Sequence, residues 1–181
     1  IAESAYISLG LTILASAAFL FFAYWLLERR PGLGAANLIP ILLTIAALAA
    51  TMRYLDIPFN VLTGTTLSIG IGLGIDYSAH LVHRFSEEYR GDTGLLEALD
   101  ISVRGTGGAL AGSMVTTTSG TGVLVLAVVP ILGQFGLLIA LSVLYSFIAS
   151  ILVLPTSIVI WDHSRNTLDS LLSSRSTWSP N

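Results

Sequence analysis

Five long apolar stretches dominate this sequence and limit its fold more than any other feature. They are residues 5–27, 33–52, 61–82, 107–129 and 135–161. Each has about the 20 mostly apolar residues that an α-helix needs to cross the hydrocarbon core of a bilayer. The sequence therefore predicts an all-α, polytopic membrane protein, with five transmembrane helices within residues 1–162.

The composition excludes several other classes of protein. Charged residues make up only 10% of the chain, whereas about 25% is usual in soluble domains. The net charge of −3 gives no basic surface that would bind nucleic acid. Cysteine is absent, and the three histidines are too scattered for a structural zinc site. We therefore expect no metal, no cofactor and no enzymatic activity.

Two segments outside the apolar stretches have their own character. Residues 93–104 carry apolar side chains at helical spacing, and these are Leu95, Leu96, Leu99 and Val103. This pattern predicts an amphipathic helix at the membrane surface. Residues 163–181 are rich in serine and arginine, and we expect them to form a cytoplasmic tail.

The arginines predict the orientation of the chain in the membrane. Five crossings place the arginines on two sides, and Arg53 is alone on one of them. The other seven are Arg29, Arg30, Arg84, Arg90, Arg104, Arg165 and Arg175. Basic residues accumulate on the cytoplasmic side of plasma-membrane proteins. We therefore predict an extracytoplasmic N-terminus and a cytoplasmic C-terminus.

The third stretch contains the residue with the clearest functional potential. Asp76 would lie about 6–8 Å from the centre of this span, estimated from the rise of a helix. An ionisable side chain there costs roughly 2.5–3.5 kcal/mol, so that a function is expected for it. It belongs to a stripe at four-residue spacing, which consists of Gly64, Ser68, Gly72, Asp76, His80 and Arg84. We expect this stripe to face protein or water rather than lipid.

Proton transfer is the chemistry that these residues predict. Apolar surroundings favour the protonated form of a carboxyl group, so that Asp76 could bind and release a proton. Tyr77 could donate a hydrogen bond to a carboxylate on another helix, and His80 could continue the proton path. The alternatives are a neutral Asp76 that only joins helices, a Tyr77 that only packs, and a His80 that is an interfacial polar residue.

The fourth stretch offers a partner for this helix. Small residues form one ridge at Gly108, Gly112, Thr116 and Gly120, and hydroxyls form another at Ser113, Thr117 and Thr121. Small residues let helix backbones approach closely. We therefore predict close packing through Gly72 and the three ridge glycines, with Thr116 or Thr117 near Asp76. Alternatively, the hydroxyls bond to their own helix backbone.

Residues 72–85, with the sequence GLGIDYSAHLVHRF, resemble the fourth-helix motif of the resistance-nodulation-division superfamily. They are most similar to its MMPL-type and hydrophobe/amphiphile efflux-3 branches. Residues 107–122 resemble the fifth helix of the family, and residues 134–138 and 152–155 resemble the sixth. In this family each half has one helix, a large extracytoplasmic porter domain and five further helices. The resemblance implies that this chain is helices two to six of one half, and its short tail suggests the C-terminal half.

The resemblance also implies a function. Asp76 and Tyr77 would be proton-relay residues in a proton-driven exporter of hydrophobic or lipidic molecules, with protons as the coupling ion. The expected partners are membrane lipids, a hydrophobic substrate, and either the other half or a second copy of this chain. Thr118, Ser119 and Thr121 make the fifth helix more polar than the family leads us to expect. The alternatives are a lipid-binding module similar to sterol-sensing domains, or an accessory subunit of protein translocation, without transport of its own.

Overall fold

The computed structural model describes residues 31–89 and 93–162, together with six isolated residues between 7 and 22. Within these residues the chain is helical and contains no strand. The helices are α1 (Pro31–Tyr54), α2 (Val61–Glu88), α3 (Leu95–Gly122) and α4, which begins at Pro130. A 3₁₀ turn, Val123–Leu126, follows α3. The α-helical part Pro130–Ile148 of α4 leads into a π-helical turn, Ala149–Val153, and α4 then continues to Asp162.

Three of the helical segments are long and apolar enough to cross a membrane. They are Ala36–Tyr54, Leu95–Leu126 and Pro130–Asp162. They include or overlap the predicted stretches 33–52, 107–129 and 135–161. The predicted stretch 61–82 forms most of α2, which has 28 residues but is more polar than these three segments. Of the predicted first span, 5–27, the structure describes only those six isolated residues, and the predicted tail, 163–181, lies outside the described residues.

Local signals explain where the helices begin. Asn60 caps α2, because its side chain accepts a hydrogen bond from the backbone N–H of Thr63 while the Thr63 hydroxyl accepts one from the backbone N–H of Asn60. This reciprocal pair satisfies two N–H groups that a helix start leaves free. Pro130 is the first residue of α4, where its fixed φ fits a helix and its missing N–H costs nothing.

The prediction of a separate interfacial helix over residues 93–104 is wrong in its boundaries. Residues 95–104 are the first turns of α3, which continues without a break to Gly122. No proline interrupts this segment, so that helical hydrogen bonding can continue past Arg104. Its apolar side chains also have a protein partner, because Ala98 and Leu99 are buried in one cluster with Phe85 of α2.

α2 and α4 pack closely along a pair of glycines. A Cβ on Gly70 would lie 2.8 Å from the Cβ of Ser142, and one on Gly74 would lie 3.1 Å from that of Ser146. Since both contacts advance by four residues, α2 and α4 run parallel at the same depth. α1 packs against both in the opposite direction, and Ser146 donates a hydrogen bond to Thr44 over 3.4 Å.

The predicted packing glycines do not make these contacts. Within the described structure, a Cβ on any of Gly72, Gly108, Gly112 and Gly120 would meet nothing within 4 Å. The prediction chose the wrong face of α2, because Gly70 and Gly74 point about 160° away from Gly72 around the helix. The residues of this stripe from Gly72 to Arg84 are therefore exposed.

Candidate functional site

A groove of about 320 Å³ runs between α2 and α3. Leu73, Asp76, Tyr77 and His80 line it from α2, and Thr106, Ala109, Leu110, Ser113 and Thr117 line it from α3. The groove thus brings a carboxyl group, a phenol and an imidazole together with three hydroxyls. Its remaining wall is apolar.

Asp76 is exposed on the outer face of α2, near the middle of that helix. Because α2 packs along the membrane-spanning candidate α4, Asp76 lies at a depth where an uncovered carboxylate would meet lipid. That arrangement is costly unless water or another polypeptide covers the carboxylate. Among the described residues, no cationic side chain forms an ion pair with Asp76. In the isolated chain, this face of α2 leaves the Asp76 side chain exposed.

Tyr77 occupies a different environment from its neighbour. Its side chain is only 5% exposed and packs edge-to-face on Phe147 of α4, with ring centroids 6.0 Å apart and an interplanar angle of 80°. Leu110, Ile139 and Val143 complete the cluster around the ring. This packing holds the phenol in a fixed position beside the groove.

His80 is exposed and lies one helical turn beyond Asp76, in the same groove. Arg84, one turn further, has other partners, because it forms ion pairs with Glu88 at 2.6 Å and Glu87 at 3.4 Å. It therefore does not neutralise Asp76. His80 lines the groove together with Asp76 and Tyr77, whereas Arg84 does not.

The two predicted threonines have different positions. Thr117 lines the groove with Asp76. Thr116 is exposed outside the groove, and its hydroxyl donates to the backbone oxygen of Gly112 over 2.9 Å. Adjacent residues on a helix point about 100° apart, so only one of the pair can face α2. The Thr116 hydroxyl therefore follows the alternative prediction, in which it bonds to the backbone of its own helix.

Sequence reasoning missed one polar member of the groove. Thr106 lies seven residues before Ser113 and eleven before Thr117, a spacing that places all three on one face of α3. The signal was present, but the predicted boundary between the interfacial helix and the fourth span placed Thr106 between two elements. Within the part of the chain that the structure describes, no group of acidic, histidine or cysteine side chains could hold a metal ion.

Similarity to known proteins agrees with this architecture. A model of the MMPL family matches residues 38–178. A protein of Methanocaldococcus jannaschii, whose name describes it only as a membrane protein, is 35% identical over 132 residues. The match covers 73% of this chain but only 34% of the relative. This chain therefore spans about a third of the length of that relative.

Proposed function

This chain belongs to the MMPL family and is a membrane protein, and from this premise we propose that it is the membrane half-domain of a proton-driven exporter of hydrophobic or lipidic molecules. The observation that carries the proposal is the groove in which an outward-facing Asp76 meets Tyr77 and His80 at mid-helix depth. A carboxyl group at such a depth is expected to have a function.

Asp76 is the group that binds the coupling proton. Ionised, it favours water or a polar partner, whereas protonated it can remain in apolar contact. A change in the protonation of Asp76 therefore changes whether the outer face of α2 is more stable against a polar partner or against apolar surroundings. Tyr77 supplies a positioned hydroxyl, and His80 offers the next site for a proton along the groove. His80 lies on the side of Asp76 that the arginines predict to be cytoplasmic.

The exposed face requires a partner, which we propose to be either the second half of the transporter or a second copy of this chain. In a symmetric pair of copies, two Asp76 carboxyl groups would face each other. Two adjacent carboxylates cannot both ionise easily, so that the pair would hold one proton.

Cysteine cross-linking tests the version with two copies, because the chain has no cysteine of its own. We expect Gly72→Cys to give a disulfide-linked dimer on mild oxidation in membranes, since Gly72 is exposed one turn from Asp76. Leu42→Cys is the matched control, because Leu42 is 55% exposed on α1, which does not line the groove. A dimer that forms equally well at both positions, or at neither, contradicts pairing of two copies through this face.

Reconstitution of the full-length protein tests the function itself. In liposomes with an imposed pH gradient, we expect the protein to move a fluorescent long-chain fatty acid across the membrane. A pH-sensitive dye in the same liposomes should report a coupled proton flux. A protonophore should abolish the movement. Movement of the fatty acid that is unaffected by the protonophore would contradict proton coupling, and binding without movement would favour a lipid-binding module.

A further inference from the structure

A second set of polar groups is buried between α1 and α4, on the other side of α2 from the groove. The side chain of Asn37 is 0% exposed, and neither its Oδ1 nor its Nδ2 has a hydrogen-bond partner in the described residues. The Oγ of Ser150, in a side chain 1% exposed, also has no partner there. Buried polar groups in folded proteins are nearly always hydrogen-bonded, to protein or to ordered water.

The packing of α1 against α4 places these two residues at similar depth. The two helices are antiparallel, and their register is given by the contact of Thr44 with Ser146. Asn37 lies seven residues from this contact and Ser150 lies four residues from it, in the same direction along the bundle. With a rise of about 1.5 Å per residue, they lie within about 5 Å of each other along the helix axes.

The backbone of α4 is interrupted at this level. In the π-helical turn, the N–H of Leu154 donates to the carbonyl of Ala149 rather than to that of Ser150. The next residue, Pro155, has no N–H to donate. The carbonyl of Ser150 has therefore lost its usual helical donor, next to a hydroxyl that also has no partner.

The backbone of α1 is interrupted at the same level. Pro40 lies inside α1 and has no N–H. The carbonyl of Ala36 therefore has no helical donor, and Ala36 is the neighbour of Asn37. Ala36 and Leu154 belong to one buried cluster, and α1 contacts the π-helical turn of α4 directly. The result is a buried region with more acceptors than donors.

We propose that Asn37 and Ser150 form a binding site for an ordered water molecule inside the helix bundle. A water molecule donates two hydrogen bonds to the surplus oxygens and accepts one from the Nδ2 of Asn37. A sodium ion could use the oxygens but would leave Nδ2 without an acceptor. Ordered water is one of the groups that satisfy the backbone at prolines in membrane helices. The site would stabilise two interrupted helices at one depth.

A high-resolution cryo-EM map of the purified protein in lipid nanodiscs tests the site directly. We expect a separate density peak within about 2.7–3.2 Å of both Asn37 Nδ2 and Ser150 Oγ. The peak should be present in sodium-free buffer. An empty site in a map that resolves other waters, or a peak that requires added sodium, would overturn the proposal.

Thermal unfolding provides a second test. We expect Asn37→Leu to lower Tm by about 2–6 °C, because it removes the hydrogen bonds to water. In a dry site the same change would raise Tm, because it would remove an unpaired amide. We expect Ser150→Ala to lower Tm as well, because it removes a hydrogen bond to the same water. Ser157→Ala is its control, since the Ser157 hydroxyl already donates to the backbone oxygen of Val153 over 2.8 Å.

The double variant Asn37→Leu/Ser150→Ala separates a shared water from two unrelated effects. If one water joins the two side chains, the double variant should lose less Tm than the sum of the single losses. Strictly additive losses, or a raised Tm in Asn37→Leu, would contradict the shared site. Neither readout depends on transport, so the result is independent of the proposed function.

Discussion

Asp76→Asn is expected to abolish proton-coupled transport by the full-length protein while leaving its folding intact. Asparagine has nearly the shape of aspartic acid but cannot bind or release a proton in this range of pH. Since Asp76 is exposed and makes no ion pair among the described residues, the change removes charge without removing a packing contact. In the liposome assay, both the fatty-acid movement and the proton flux should fall to the level of empty liposomes.

Asp100→Asn is the matched control for this variant. Asp100 is also an exposed aspartate on a helix, but its partner is Arg104 at 2.8 Å and it lies outside the groove. Its loss should leave transport near the wild-type rate. Asp76→Glu keeps the carboxyl group and should retain part of the activity. If Asp76→Asn still moves protons with substrate, Asp76 is not the coupling residue.

Gly136→Ala is expected to cause the largest loss of stability among single-methyl additions in α4. A Cβ on Gly136 would lie 2.5 Å from the backbone oxygen of Thr121 and 3.3 Å from the Cα of Leu124. Because these are backbone atoms, the end of α3 must move to make room. Overpacking of this kind typically costs about 1–3 kcal/mol, which corresponds to a fall in Tm of about 3–10 °C for a chain of this size.

Gly133→Ala tests whether that loss is specific. Gly133 lies one turn earlier in α4, and a Cβ there would lie 3.5 Å from the backbone oxygen of Val125, an ordinary contact distance. Alanine is also the better helix former, so Tm should stay within about 2 °C of wild type or rise. Equal losses of Tm in the two variants would contradict the close approach of α3 to α4 at Gly136.

Helix length and hydropathy allowed most of the fold to be predicted. Three of the predicted stretches overlap helices that are long and apolar enough to cross a membrane, and a fourth forms most of α2. The predicted break between a surface helix and a membrane span near Gly107 was wrong. Charge and amphipathic pattern had indicated that the chain passes from the membrane surface into the membrane there. The backbone contains no proline at that point, and glycines alone did not end α3.

The faces of α2 were harder to predict, for a physical reason. Gly70 and Gly74 lie on one face and Gly72 and Asp76 lie on another, and small residues repeat every four positions on both. Spacing alone cannot decide between them. The usable signal was on α4, where Ser142 and Ser146 are hydroxyls at the same spacing in a strongly apolar helix. Such residues mark the side of a membrane helix that faces protein.

The groove itself was predicted in part. Asp76, Tyr77, His80 and Thr117 were singled out from the sequence and the structure brings them together. The outward exposure of Asp76 could not be predicted, because it depends on which face of α2 packs against α4. That exposure is the basis of the proposed function, including the proposed partner.

Infrared difference spectroscopy of the protein in lipid tests most directly the claim that Asp76 binds and releases a proton in the membrane. We predict that a pH step produces a carbonyl band of a protonated carboxyl group in the wild-type protein. The same band should be absent from Asp76→Asn and present in Asp100→Asn. A wild-type protein without such a band across the pH range in which it transports, or a band that persists in Asp76→Asn, would contradict the account.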